Sequence, residues 1–404
     1  MRLDRRDFLK VTAAATLPLA APRLVFANAT PTNSDVLVVV FQRGGLDGLQ
    51  AVVPHADADY YRLRPTIGIP RPGTATNAAI DLDGFFGLHP SAAPLKPLYD
   101  AGRLAIVHGA GLETSSRSHF ECQDFYERGS TNASQVSDGW VNRYLQSNTP
   151  DATFGAVAIG RAIQPSMRGP SPVLGISTIA NFRLGTAGGR AAEIEQQIAG
   201  LYGASDVMGI NARKALGAID ELAAANPSAR TPEYGATYPN TNFGNQMREL
   251  AQLIKADLGL RAAAVDIGGW DHHENIANFI GPLLDEMSRT LVAFDTDLGP
   301  RMANVTVVTM TEFGRRVQQN GSNGTDHGAG TLMFLLGGGV LGRQVVRAWP
   351  GLRNQDLVNG DLKVTIDYRT VLAELIEQRM GGADLAHVFP GFAPGPRPGV
   401  FARR

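Results

Sequence analysis

The chain has 404 residues, 44% of them hydrophobic and 19% charged, with a formal net charge of −1 at pH 7. This balance supplies a sizeable core and argues against global disorder, and the absence of a basic stripe argues against a nucleic-acid surface. The single cysteine, Cys122, rules out an intrachain disulfide, and 46 glycines with 24 prolines point to turns and shaped loops rather than a helical bundle.

The first residues read as an export leader. Arg5 and Arg6 stand directly before Phe8-Leu9-Lys10, and a weakly apolar stretch runs from Val11 to about Ala21. That stretch is too short for a bilayer, which needs about 20 apolar residues. Ala27 and Ala29 then fit a small-residue cleavage site. The arginine pair points to the twin-arginine route, with the twin-arginine translocase as partner and the periplasm or the exterior as destination. Residues 1–29 are therefore set apart as a leader, and residues 30–404 as one α/β domain. A single cysteine agrees with folding in a reducing cytoplasm before export. No later segment is apolar for long enough to cross a membrane.

Val36 to Phe41 is a continuous apolar run, the pattern of a strand buried on both faces, and it leads into Arg43-Gly44-Gly45-Leu46-Asp47-Gly48. Residues 54–90 are loop-rich. Ser91 to Ala101 reads as a helix with Ser91 as its N-cap and Gly102 past its end. Leu104 to His108 is a second buried strand, and a helix from about Ser118 to Arg128 is stopped by Gly129. Further strands are expected at Phe154–Ile159 and Val173–Ser177. Two helices are expected over 190–225, and a surface loop or module boundary over Asn226–Phe243. An amphipathic helix at Asn245–Leu258, a strand at Arg261–Ile267 and a long helix over 277–298 follow. Strands at Val305–Met310 and Thr331–Leu336 precede a last helix at Asp367–Met380. Alternating apolar strands and helices predict a largely parallel sheet covered on both faces. No nucleotide-binding glycine fingerprint or G-K-[ST] loop is present.

In such folds ligands bind beyond the carboxyl ends of the strands, so polar residues just past an apolar run are the candidates. Asp47 follows the first strand through glycines that let the backbone approach a ligand closely; a tight turn with a solvated carboxylate reads equally from the same residues. Ser118 opens a helix after the second strand, where the field favours anions. It is either an ordinary N-cap or a nucleophile whose developing charge the helix end would stabilise. Asp271 and His273 fall on one side of an extended segment, with His272 on the other; a carboxylate and an imidazole form a partial ligand set for a transition metal. Glu312 follows a buried strand with Arg315 close behind, a pairing that fits a metal, an anion or a surface ion pair. Asp326 and His327 lie between glycines just before a strand and are the best ligand candidates in the chain. Arg43 and His119 are candidates for holding substrate. His55, His89, His108 and His387 are isolated and read as structural.

These motifs together resemble one exported bacterial family, the one catalogued as domain-of-unknown-function family 1501. The resemblance rests on the arginine-pair leader, the run from Val39 to Gly48, Arg117-Ser118-His119-Phe120, Gly269-Trp270-Asp271, the run from Thr311 to Arg315, the run from Gly324 to Gly328, and Asp367-Tyr368-Arg369. That family is similar in fold to the alkaline phosphatase and sulfatase superfamily. The resemblance implies a three-layer α/β sandwich with a largely parallel central sheet and a metal-supported site at the strand ends. It also implies Asp47, Asp271, His273, Asp326 and His327 as metal ligands, Ser118 as nucleophile, and Glu312 as ligand or base. Glu312-Phe313 stands where the superfamily has an Asp-His pair, which implies that one of two metal positions is weakened or missing. His272 stands where the family has a small polar residue, so the choice between His272 and His273 is open.

The expectation is a metal-dependent hydrolase of phosphate or sulfate esters holding Zn, Mn, Mg or Ca, with Arg43 or Arg315 on the anionic substrate. The alternative is a non-catalytic periplasmic binding or accessory protein on the same fold. A redox or cofactor protein is a third reading, carried by the export route alone.

Overall fold

The computed structural model describes residues 35–131, 136–148, 152–183 and 207–404, with isolated helical positions between 193 and 201. The leader at residues 1–29 and much of the expected helical segment before residue 207 lie outside the described residues.

The strands in chain order are β1 (Val36–Arg43), β2 (Val52–Val53), β3 (Ile80–Asp81), β4 (Gly87–Leu88), β5 (Leu104–Gly111), β6 (Ala156–Ile159), β7 (Leu174–Ile176), β8 (Ala262–Gly268), β9 (Val305–Met310), β10 (Thr331–Gly337), β11 (Gln344–Val346) and β12 (Ile366–Asp367). The helices that cover them include α1 (His119–Arg128), α2 (Trp140–Ser147), α3 (Val207–Ala225), α4 (Asn242–Lys255), α5 (Ile276–Leu298) and α6 (Tyr368–Gln378). One mixed sheet of nine strands runs in the order β11-β5-β10-β9-β1-β8-β6-β7, with β12 also on β5. Strands β2, β4 and β3 form a small separate sheet.

The period of two along β1 explains the layers. Val36, Val38 and Val40 enter one core with Met247, Leu250, Leu284 and Leu291 of α4 and α5. Leu37, Val39 and Phe41 enter the other with Phe125, Tyr144, Leu372 and Ile376 of α1, α2 and α6. A strand with both faces buried cannot alternate with polar residues, which is why the run is continuously apolar.

The expectation of a largely parallel sheet holds, with β10 as the exception: it is antiparallel to both β5 and β9. The chain leaves β9 at its carboxyl end, loops through residues 311–330 on that same edge and comes back as β10. The start of β10 therefore lies beside the carboxyl ends of β1, β8 and β9, so residues before β10 and residues after its neighbours reach one place.

Local details differ from the sequence expectations. The helix expected from Ser91 begins as a 3-10 turn over Pro90–Leu95 and becomes α-helical only at Lys96–Asp100. Its N-cap is His89, whose Nδ1 accepts from the Ser91 amide at 3.1 Å. Pro90 at the first position and Pro94 inside remove the amides an α-helix needs there. Residues 54–90 hold a short helix at Ala58–Leu63 and two strands of the small sheet. The segment 226–243 is pinned to the body: Tyr238 donates to Asp297 at 3.0 Å, and Lys255 donates to Thr231 O at 2.8 Å and to Asp297 at 2.6 Å.

Candidate metal centre

Four strand-end segments build the site. After β1, Gly44 and Gly45 adopt φ of +124° and +73°. A Cβ on Gly44 would stand 2.7 Å from the Asp271 amide, and one on Gly45 would stand 2.5 Å from the Phe313 ring. Only glycine lets this turn lie against the segments after β8 and β9. After β8, Gly269 and the buried Trp270 deliver Asp271 and His273. After β9 comes Glu312, and before β10 come Asp326 and His327. His119 opens α1 in the segment after β5.

Three imidazoles are each tied down at Nδ1. His119 Nδ1 meets Glu312 Oε1 at 2.8 Å, His273 Nδ1 meets Asp326 Oδ1 at 3.1 Å, and His327 Nδ1 meets the Arg117 carbonyl at 2.7 Å. Fixing one ring nitrogen this way sets the tautomer and aims the other. The three Nε2 atoms converge on Asp271. His273 Nε2 is 3.0 Å and His327 Nε2 3.2 Å from Asp271 Oδ1, His119 Nε2 is 3.3 Å from Asp271 Oδ2, and His273 and His327 Nε2 are 2.9 Å apart. His119, Asp271 and His327 offer ligand atoms within 4.8 Å of one another.

This donor set fits a metal ion. Two imidazole nitrogens facing each other at hydrogen-bond distance, beside a carboxylate, compete for one proton unless a cation sits among them. His119 Nε2 is buried and makes no hydrogen bond. Four ligands at about 2.0 Å from a tetrahedral ion stand about 3.3 Å apart; the three Nε2 atoms lie 3.0 to 3.3 Å from Asp271 oxygens, and those of His273 and His327 lie 2.9 Å from each other.

The electrostatics support charged, oriented ligands. Burial lifts the Asp271 carboxyl, but the Arg315 guanidinium at 2.6 Å and His327 hold it down at about 2. Glu312 is fully buried. Burial pushes its carboxyl up, and bonds from His119, Gln123 (2.8 Å) and the Gly44 amide (2.9 Å) more than offset this and keep it below its usual range. The Glu312 hydrogen bond in turn raises His119, whereas burial lowers His327.

Asp271, His273, Asp326 and His327 are brought together as the sequence reading grouped them, with different jobs. Asp326 bonds His273 and Asn320 and so braces a ligand. Glu312 braces His119, a residue that from the sequence is a candidate for holding substrate. His272 points elsewhere, leaving His273 at the cluster. Asp47 is not brought there: its oxygens accept from Arg64 at 2.9 Å, Thr325 at 3.0 Å and the Gln50 amide at 3.0 Å, all buried. Arg315 is buried and donates to the carbonyls of Gly44, Gly45, Trp270 and Thr325 as well as to Asp271. It locks the strand-end loops to each other and leaves little donor capacity for a substrate. Arg43 is similarly engaged, by Glu127, Asp266 and Gln123. Ser118 takes the N-cap position of α1, yet its side chain makes no capping bond and is exposed.

Phe313 and Arg117, which the sequence names only as parts of motifs, and Gln123 and Asn320, which it does not name, are supporting residues. The Phe313 ring packs 4.9 Å from His119 and 4.6 Å from His327, fixing both planes. Its position immediately after Glu312 was the available signal.

The model of the family described as "Protein of unknown function (DUF1501)" matches residues 105–389, more than half of the chain. The chain belongs to this family. The matched region carries His119, Asp271, His273, Glu312, Asp326 and His327, and β1 with its glycine turn precedes it. No curated protein matches. Among solved structures, the chain is similar to an alkaline phosphatase from the Antarctic bacterium TAB5, at 9% identity over 76% of this chain and 92% of that one, with a TM-score of 0.29. It is also similar to the lipoteichoic acid synthase LtaP from Listeria monocytogenes, at 8% identity over 79% and 67% of the two chains, with a TM-score of 0.30.

Proposed function

We propose that this DUF1501 protein is an exported, metal-dependent hydrolase of phosphate or sulfate esters. The observation that carries the reading is the convergence of three Nδ1-tethered imidazoles on Asp271. His119, His273, His327 and Asp271 would hold one divalent ion. A set dominated by imidazole suits zinc or another first-row transition metal better than magnesium or calcium. Such an ion polarises a bound oxygen and lowers the pKa of a hydroxyl or water beside it.

The chain's own groups fit the rest of that chemistry. Ser118 is exposed at the N-terminus of the ten-residue helix α1, beside His119. A nucleophile there sits where the helix field favours a developing anion. Glu312 and Asp326 keep their histidines in the ligand tautomer, and Arg315 keeps Asp271 ionised and in place. One observation favours the second reading, a binding protein without turnover: the guanidinium donors of Arg43 and Arg315 are largely engaged by protein groups.

The test is metal analysis of protein recovered from its native compartment and of protein refilled with zinc, followed by assay on 4-nitrophenyl phosphate and sulfate. One ion per chain is expected, lost in Asp271→Ala. Ser118→Ala is expected to keep the ion and lose turnover. A protein that takes up no stoichiometric metal under either condition overturns the proposal; full metal with no turnover on either ester favours the second reading.

A further inference from the structure

Next to the His–Asp cluster lies a cleft of about 700 Å³ bordered by Asp271, His272, His273, Glu274 and Phe279. Its floor and walls are largely apolar, and Phe279 is 55% exposed there, an unusual position for a phenylalanine on a helix whose opposite face is core. The His272 ring is 5% exposed, lies nearly parallel to Phe279 (10°, centroids 6.2 Å apart), and has neither ring nitrogen hydrogen-bonded. A neutral imidazole carries one donor and one acceptor. Both nitrogens are buried without partners, an arrangement that costs stability until a hydrogen-bonding group reaches them, and the residue borders the cleft. Asp271 and Glu274 put carboxylates on the rim and disfavour a second anion.

We infer that this cleft is the subsite for the uncharged aryl alcohol portion of the ester, with Phe279 covering its flat face and His272 hydrogen-bonding a polar group on it. The inference deepens the hydrolase reading and rests on it for the position of the ester. Asp271 and His273 border both the cleft and the cluster of ligand atoms, so an alcohol seated against Phe279 has its ester oxygen on the metal side. Volume and lining agree with small-molecule sites, which are apolar with a few convergent polar groups.

The test uses the zinc-loaded protein and 2-naphthol as a non-reacting probe, read by isothermal titration calorimetry. Binding is expected, weaker by about tenfold in Phe279→Ala and by about fivefold in His272→Phe, with zinc content unchanged in both. In kinetics, KM for 2-naphthyl phosphate should rise in both variants while kcat/KM for methyl phosphate stays put. No naphthol binding, or binding indifferent to Phe279→Ala, overturns the subsite even where turnover is seen. Naphthol binding that responds to both variants in a protein without turnover upholds the subsite and sinks the hydrolase reading instead. Because Phe279 is exposed, its alanine variant tests the cleft without threatening the core, whatever His272→Phe does to folding.

Discussion

Two buried carboxylates with similar sequence settings do different work. Glu312 sits at 0% exposure with its oxygens on His119, Gln123, Thr311 and the Gly44 amide. Its Gln variant keeps the shape but cannot hold His119 by charge, so zinc affinity should fall about 10–100-fold with the melting temperature little changed; competition with a chelator reads this directly. Asp47 answers to Arg64, whose side chain is fully buried. Asp47→Ala leaves that guanidinium without its carboxylate and should cost about 3–5 kcal/mol of stability, while zinc stoichiometry in the folded fraction stays unchanged. Denaturant unfolding with metal analysis separates the two residues. The sequence could group Asp271, His273, Asp326 and His327, which the structure brings together, because strand ends and flanking glycines mark one edge of the sheet. It could not remove Asp47, because Arg64 lies in a proline-rich stretch with no periodicity to say which way it points. Nor could it place His119 beside Asp271, since that depends on Glu312 lying 2.8 Å away from a segment 193 residues distant.

At the level of elements, β1, β5 and β9 were legible because a strand buried on both faces has to be continuously apolar. Strands β11 and β12, three and two residues long, carry no such signal, and the reversed direction of β10 is set by the loop that precedes it. The helix α5 was equally plain, yet it hides a carboxylate. Asp295 lies 3% exposed on it, with Arg103 at 2.5 Å. Burial outweighs that attraction and lifts the carboxyl from 3.8 to about 6. The folded chain therefore binds this proton more tightly than the unfolded chain does. Its contribution is fully present below about pH 4, is lost as the pH rises to about 6, and is absent at neutrality. Asp295→Asn, which never ionises, should gain about 3 kcal/mol at pH 7 and close to nothing below pH 4. A stabilisation that fails to grow between those pH values would show that Arg103 already compensates the charge.

At the level of the molecule, the proposed export route and the proposed centre bear on each other. Replacing both Arg5 and Arg6 with Lys should leave the protein in the cytoplasm, folded and carrying its metal; undiminished export on cell fractionation would remove the twin-arginine reading. The fold class was legible because core layers follow from the alternation of strands and helices. The small sheet and the stitching of residues 226–243 to α4 and α5 were not, since they rest on pairings between short, aperiodic segments.

The pairing of β1 has a further consequence, for the timing of synthesis. β1 sits at the middle of the sheet, but its two neighbours, β8 and β9, begin more than two hundred residues later. At about 5–20 residues per second, the ribosome delivers β8 roughly 10–45 s after β1. Throughout that interval the unbroken apolar run from Val36 to Phe41 lacks both strands that flank it in the folded sheet, and whatever shields it then governs how much of the protein escapes aggregation.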